Sequence, residues 1–163
     1  MPTESEDELQ ASAVKYLRRH SMHHDEWKFT RLGQLHPELE EAIGLAPGER
    51  VIVSSLVSID SWYSFTTRRL VAKLGGDVQS IDVLDAEDES FGNFKGYRPG
   101  YGPGSQVTEI GTIKSRSTGE RIQIEFETLY ASMAPIYACK FFMRRTRRLQ
   151  AEQINAHDSR ADA

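Results

Sequence analysis

The chain has 163 residues, 39% of them hydrophobic, and a formal net charge of -4, with a mean hydropathy of -0.51. That is room for one domain with an ordinary core and some length for an extra helical arm. The acidic balance argues against a dedicated phosphate-backbone binder; the lone cysteine, Cys139, excludes an intramolecular disulfide and suits a reducing compartment. No apolar run approaches the roughly 18 residues of a membrane-spanning helix. The N-terminus, MPTESEDELQ, is acidic and polar, the opposite of a targeting segment. Arg outnumbers Lys more than two to one, a bacterial-looking composition. A cytoplasmic protein is expected.

In chain order, Glu4 to about His20 has the charge order of a helix, acids first and Lys15, Arg18 and Arg19 last. Leu9, Ala13, Tyr16 and Leu17 recur at helical spacing. A second short helix is predicted in HPELEEAIGL, begun by Pro37 and ended by Gly44. After Glu49 the period changes to that of strands. VIVSSLVSI is rich in β-branched residues, and SWYSFTTRRLVAKL is apolar on both faces, as in the middle of a sheet. Gly75-Gly76-Asp77 is a tight turn and VQSIDVL a third strand. The acidic run DAEDES leads into FGNFK, with no strand assigned. VTEIGTIKSR and ERIQIEFETLY then flank a hairpin turn at Ser117-Thr118-Gly119. In the second of these, Ile122, Ile124 and Phe126 should face the core, and Gln123, Glu125 and Glu127 water. A closing helix is capped by Ser132 with Pro135 in its first turn, and Ala138, Cys139, Phe142 and Leu149 form its apolar stripe. The tail NAHDSRADA should fray.

The loop FKGYRPGYGPGS, Phe94 to Ser105, holds four glycines, two prolines, two tyrosines and two basic residues. Too few strands follow it to bury a core alone, so it lies inside one domain. Its Gly and Pro release the chain from the β ladder. Base stacking on Tyr97 and Tyr101 beside Lys95 and Arg98 is opposed by Asp85, Glu87, Asp88 and Glu89 upstream. A protein-contact loop is the better reading, and no nucleic-acid partner is expected.

Other candidates have bland readings. His20, His23, His24 and Asp25 could ligate zinc or nickel, but no Cys pair completes a structural site, so they read as a solvated helix end. Cys139 on the apolar stripe reads as a core residue rather than a nucleophile. Glu125 and Glu127 share a strand face, as a hydrolase's acid–base pair would, yet no nucleophile or cofactor motif accompanies them. No Walker loop or dinucleotide fingerprint is present, and neither cofactor nor metal is expected. Arg68 and Arg69 must point to opposite sides of their strand. Arg144, Arg145, Arg147 and Arg148 crowd the last helix, where they could attract a membrane surface or an acidic partner, but dipole complementation and solubility near its C-terminus are the expected reading.

A meander, a hairpin and one amphipathic helix is also the order of a pleckstrin-homology-like barrel. PGERVIV resembles the "g-E-x-V" approach to the first strand of bacterial PH/GRAM-like domains, and FTTRRLVA their "hTxxRhh" second strand. IQIEFE followed by APIYACKFF resembles their last strand and closing helix. The resemblance covers roughly Pro47 to Leu149. It implies an α+β protein: an antiparallel barrel or strongly bent sheet over residues 47–150, closed by the helix, with an N-terminal helical extension at 1–46 and a flexible tail at 151–163. Phosphoinositide binders of the family carry basic residues around the first hairpin, whereas here VSIDSWYSF has Asp60 and no Lys or Arg. Many relatives bind proteins instead. The expectation is therefore a non-catalytic protein-binding module, of regulatory or immunity type, using Trp62 and Tyr63 of the first hairpin with Tyr97, Arg98 and Tyr101 of the loop. The alternative is a lipid or phosphate-headgroup site at Arg68, Arg69, Lys73, Arg144, Arg145, Arg147 and Arg148, although a membrane surface is the less favoured partner.

Overall fold

Ser5 starts the first helix, α1 (Glu6–Arg19), through a complete capping box. Its hydroxyl accepts from the Glu8 N–H, and the Glu8 carboxylate accepts from the Ser5 N–H. Leu9, Ala13 and Leu17 are the buried stripe of this helix. The computed structural model describes residues 3–162. After α1 come a three-residue strand, β1 (Thr30–Leu32), and a one-turn helix, α2 (Glu40–Ile43), that Gly44 ends in a left-handed conformation.

Two antiparallel sheets follow. The first has the order β1-β2-β3-β4-β5, with β2 at Val51–Ser58, β3 at Ser61–Thr66, β4 at Arg69–Leu74 and β5 at Gln79–Asp82. The second is the meander of β6 (Ala86–Ser90), β7 (Thr108–Ser115) and β8 (Arg121–Glu127). A long helix, α3 (Met133–Ala161), ends the chain. The expected α+β class, the antiparallel pairing throughout and the closing helix are all present. The barrel is not. Among the described residues no hydrogen-bonded ring joins the sheets, and β8 instead packs across the core against β2, β3, β4 and β5.

Both faces of β3, the middle strand, are buried. Tyr63 and Phe65 face a core shared with α1, with Ile124 and Phe126 of β8, and with Ala138, Cys139 and Phe142 of α3. Trp62 faces the other way, into a smaller cluster with Val71, Leu39 and Ile43. The segment around α2 thus roofs the outer face of the first sheet, while α1 enters the main core. Residues 1–46, expected as an extension, supply a strand, a roof and a core helix.

Three sequence expectations need correction. The stretch 61–74 is a hairpin rather than one strand, because the Thr66 hydroxyl accepts from the N–H groups of both Arg68 and Arg69 and turns the chain. The acidic run is a strand, since Glu87 lies opposite Lys114 and Arg121 pairs with both oxygens of Glu89 at 2.7 and 2.8 Å. The tail, expected to fray, continues α3 as helix to Ala161.

Candidate functional site

The glycine-rich loop is held by its own polar groups. The Asn93 side chain donates to the Tyr97 carbonyl (2.7 Å) and accepts from the Tyr97 N–H (3.1 Å). Gly104 N–H donates to Lys95 O, and Gln106 N–H to Gly96 O, both at 2.9 Å. Ser105 Oγ accepts from the Arg98 N–H at 3.0 Å. Gly96 sits at the tightest point, with φ of +69°; a Cβ there would lie 2.4 Å from Gln106 O and 2.6 Å from Thr128 Oγ1. Only glycine fits. The loop is also fastened to the junction of β8 and α3, where Leu129 donates to Phe94 O at 2.7 Å from a left-handed conformation, φ +62°.

On this fixed loop Tyr97 is 49% exposed and Tyr101 is 68% exposed. The Arg98 guanidinium lies 5.6 Å from the centre of the Tyr101 ring, a cation–π arrangement. Trp62 and Tyr63 do not join them. The first hairpin turns at Ile59-Asp60, which places both aromatics inside β3, where Trp62 is 1% and Tyr63 0% exposed. They are core residues, and their part in the expected contact surface is withdrawn. The Tyr63 hydroxyl is buried without a hydrogen-bond partner among the described residues, and burial holds its pKa well above the ordinary value.

The basic residues of the expected headgroup site divide into two groups. Arg68 grips Glu6 through two hydrogen bonds (2.7 and 2.8 Å), Arg69 pairs with Glu49 (2.8 Å), and Lys73 with Asp60 (3.2 Å). Each is answered by a carboxylate of the chain itself. Glu49 is the hub of the most buried pair: it accepts also from Thr66 Oγ1 (2.7 Å) and the Ala46 N–H (2.9 Å). Burial alone would raise its pKa, but the hydrogen bonds from Arg69, Thr66 and Ala46 outweigh that and hold it below the ordinary carboxylate value.

The α3 arginines stand apart. The helix runs on to Ala161, so Arg144–Arg148 lie near its middle and not at its C-terminus. Dipole complementation, the expected explanation, therefore fails, since that effect is confined to the last turn. Arg144 lies over the Tyr16 ring at 5.7 Å, and Arg145 meets Glu4 at 2.5 Å. Arg144, Arg145 and Arg148 line one cleft of about 460 Å³ between α1 and α3, together with Arg19, Tyr16 and Phe141. Arg147 is exposed and does not line it.

Glu125 is half-buried and Glu127 buried, so neither is simply a solvated strand residue. Glu125 accepts from Ser61 Oγ (2.5 Å) and Thr108 Oγ1 (2.6 Å). Glu127, buried, accepts from the N–H groups of Lys28 (2.7 Å) and Phe29 (2.8 Å) and from Thr30 Oγ1 (3.0 Å). Both carboxylates thus reach residues outside β8, Glu125 those of β3 and β7 and Glu127 those leading into and starting β1, and act as cross-links. The histidines disperse: His20 stacks on Tyr137, His23 lies tilted against Tyr130 and His24 meets Trp27 edge-on. Cys139 is fully buried and its thiol is pushed far up by desolvation.

Sequence reading found the loop tyrosines from composition but missed the α1 wall of the cleft. Its one available signal was aromatic spacing, Tyr16 with His20 and Tyr137 with Phe141, each pair one helical turn apart. No family model, no curated protein and no solved structure matches the chain.

Proposed function

We propose that this chain is a non-catalytic binding module of pleckstrin-homology-like type whose ligand is a protein, engaged through the loop around Tyr97 and Tyr101. The observation that carries the reading is the pairing of exposed aromatic anchors with a fixed backbone. Two tyrosines and an arginine stand in solvent on a loop that hydrogen bonds already hold in one shape. Tyr and Arg are enriched among interface hot spots, and a preordered loop loses little entropy on binding.

The pleckstrin-homology-like part of the proposal is supported by element order. Strands β2 to β5 make one meander, β6 to β8 a second, and α3 follows. The residues that carry the sequence resemblance also meet in one place, since Glu49 of PGERVIV binds Thr66 and Arg69 of FTTRRLVA. A cytoplasmic regulator or immunity-type protein is the role this suggests, by analogy alone. Headgroup binding is disfavoured because Arg68, Arg69 and Lys73 already hold carboxylates. Hydrolysis is disfavoured because Glu125 and Glu127 are committed to structural donors.

The test is the double change Tyr97→Ala with Tyr101→Ala. It should leave the melting temperature nearly unchanged and weaken capture of the cellular partner, identified by mass spectrometry, by about 2 kcal/mol or more, the scale of a hot spot. Lost stability with capture intact overturns the reading.

A further inference from the structure

We propose that the cleft between α1 and α3 is a docking groove for a carboxylate-rich segment of a protein partner. The inference rests on the reading of the chain as a protein-binding module, though not on the glycine-rich loop. Among the described residues, Arg50, Arg68, Arg69, Lys73, Arg121 and Arg145 each pair with a carboxylate of the chain. Arg19, Arg144 and Arg148 do not, and all three line this one cleft. Arg18, Arg31, Arg98, Arg116, Arg147 and Arg160 also lack a carboxylate partner among the described residues but lie outside this cleft, so the groove is where three uncompensated guanidiniums of an otherwise acidic protein come together. Placing Arg144 and Arg148 one turn apart on α3 costs helix stability through like-charge repulsion; Arg144 has the Tyr16 ring against it, but neither arginine has a carboxylate to offset that cost.

The arrangement selects an extended acidic chain over a compact anion. Tyr16 of α1 touches Phe141 and lies under Arg144, while His20 stacks on Tyr137, so the two helices run antiparallel. Arg19 therefore stands near one end of the groove, Arg144 in the middle and Arg148 toward the other end. At 1.5 Å per residue the row spans about 10 Å. A single phosphate would need converging donors, whereas successive carboxylates of a peptide can each meet one guanidinium fork. The chain itself displays that mode, with Glu4 on Arg145 at 2.5 Å. Tyr16 and Phe141 floor the groove and give the peptide's aliphatic stems an apolar surface. The acidic remainder of the surface repels such a partner elsewhere and steers it to this groove.

The experiment measures fluorescence anisotropy of a labelled oligoglutamate peptide against the full chain at low ionic strength. Oligoglutamine, phosphatidylserine vesicles and a single-stranded oligodeoxynucleotide serve as comparison ligands. Oligoglutamate should bind and oligoglutamine should not. Arg144→Gln with Arg148→Gln, and separately Arg19→Gln, should weaken binding by about 10-fold or more, as expected for lost charged hydrogen bonds. Arg147→Gln, the same change of charge as Arg19→Gln but outside the groove, should not. Tyr97→Ala with Tyr101→Ala should leave peptide binding intact, so failure of the loop reading stays distinguishable from failure of the groove. Absence of oligoglutamate binding, equal weakening by Arg147→Gln, or tighter binding of vesicles or oligonucleotide with the same variant pattern overturns the proposal. Thermal melts of each variant ensure that a lost signal is not a lost fold.

Discussion

Glu49 shows how a short motif becomes structure. Its carboxylate, 1% exposed, satisfies a hydroxyl, a guanidinium and a backbone N–H that come from Thr66, Arg69 and Ala46. Arg69 goes on to donate to the Ile43 carbonyl at 2.8 Å, which clamps the end of α2 over the sheet. A buried charge is tolerable only when its partners are complete, and this one has them. Because its pKa is lowered in the fold, its contribution is fully present above the ordinary value of 4.5 and is lost as pH falls through the lower folded value. Glu49→Gln should therefore cost about 2–3 kcal/mol at neutral pH, toward the low end for a broken buried pair because Arg69 is partly exposed. Glu6, Asp85 and Glu89 are also held low by their partners, so the readout is the difference between wild type and variant. Urea titrations from pH 7 downward should show that difference shrinking below about pH 4.5. A constant difference would mean that Glu49 acts through shape and not charge.

At the scale of elements, α3 is two helices in one. Up to Thr146 it buries Ala134, Ala138, Cys139 and Phe142 against both sheets, and Thr146 itself donates to Leu84 O at 3.0 Å. From Gln150 to Asp162 every described residue is exposed. Phe142→Asp should cost roughly 3–5 kcal/mol by removing an anchor and burying a charge. Deleting residues 150–163 should move the melting temperature by no more than about 2 °C, since almost no burial is lost. A large shift on truncation would place a contact on the projecting turns. The apolar half of α3 was legible in the sequence because its stripe repeats at helical spacing. β6 was hidden, since a run of acids has poor strand propensity; what makes it a strand is Lys114 opposite Glu87 and Arg121 on Glu89, both far along the chain. β1 is three residues long, too short for any period to register. The loop tyrosines were legible for the converse reason, that Gly and Pro mark their own surroundings. The groove was not, because its walls are separated by more than a hundred residues and meet only through packing.

For the whole molecule, the decisive question is whether residues 1–46 form an appendage to a domain at 47–150 or part of its core. Leu9 and Leu17 lie in the same buried cluster as Phe65, Phe126 and Phe142, and Leu39 and Ile43 cover Trp62 and Val71. β1 pairs with β2, so its loss would leave a central strand as an open edge. Ionic ties repeat the pattern, Glu6 on Arg68, Asp7 on Arg50 and Glu4 on Arg145, although exposed pairs add little by themselves. Burial decides the matter. Those four large apolar side chains contribute about 1.5–3 kcal/mol each, roughly 6–12 in all, the same order as the entire stability of a domain, about 5–15 kcal/mol. A fragment of residues 47–150 should therefore fail to melt cooperatively and should bind a hydrophobic dye, while the full chain gives one sharp transition by circular dichroism. A fragment that melts within a few degrees of the full chain would restore the N-terminal segment to the status of an extension, and would separate the α1 wall of the arginine groove from the domain it flanks.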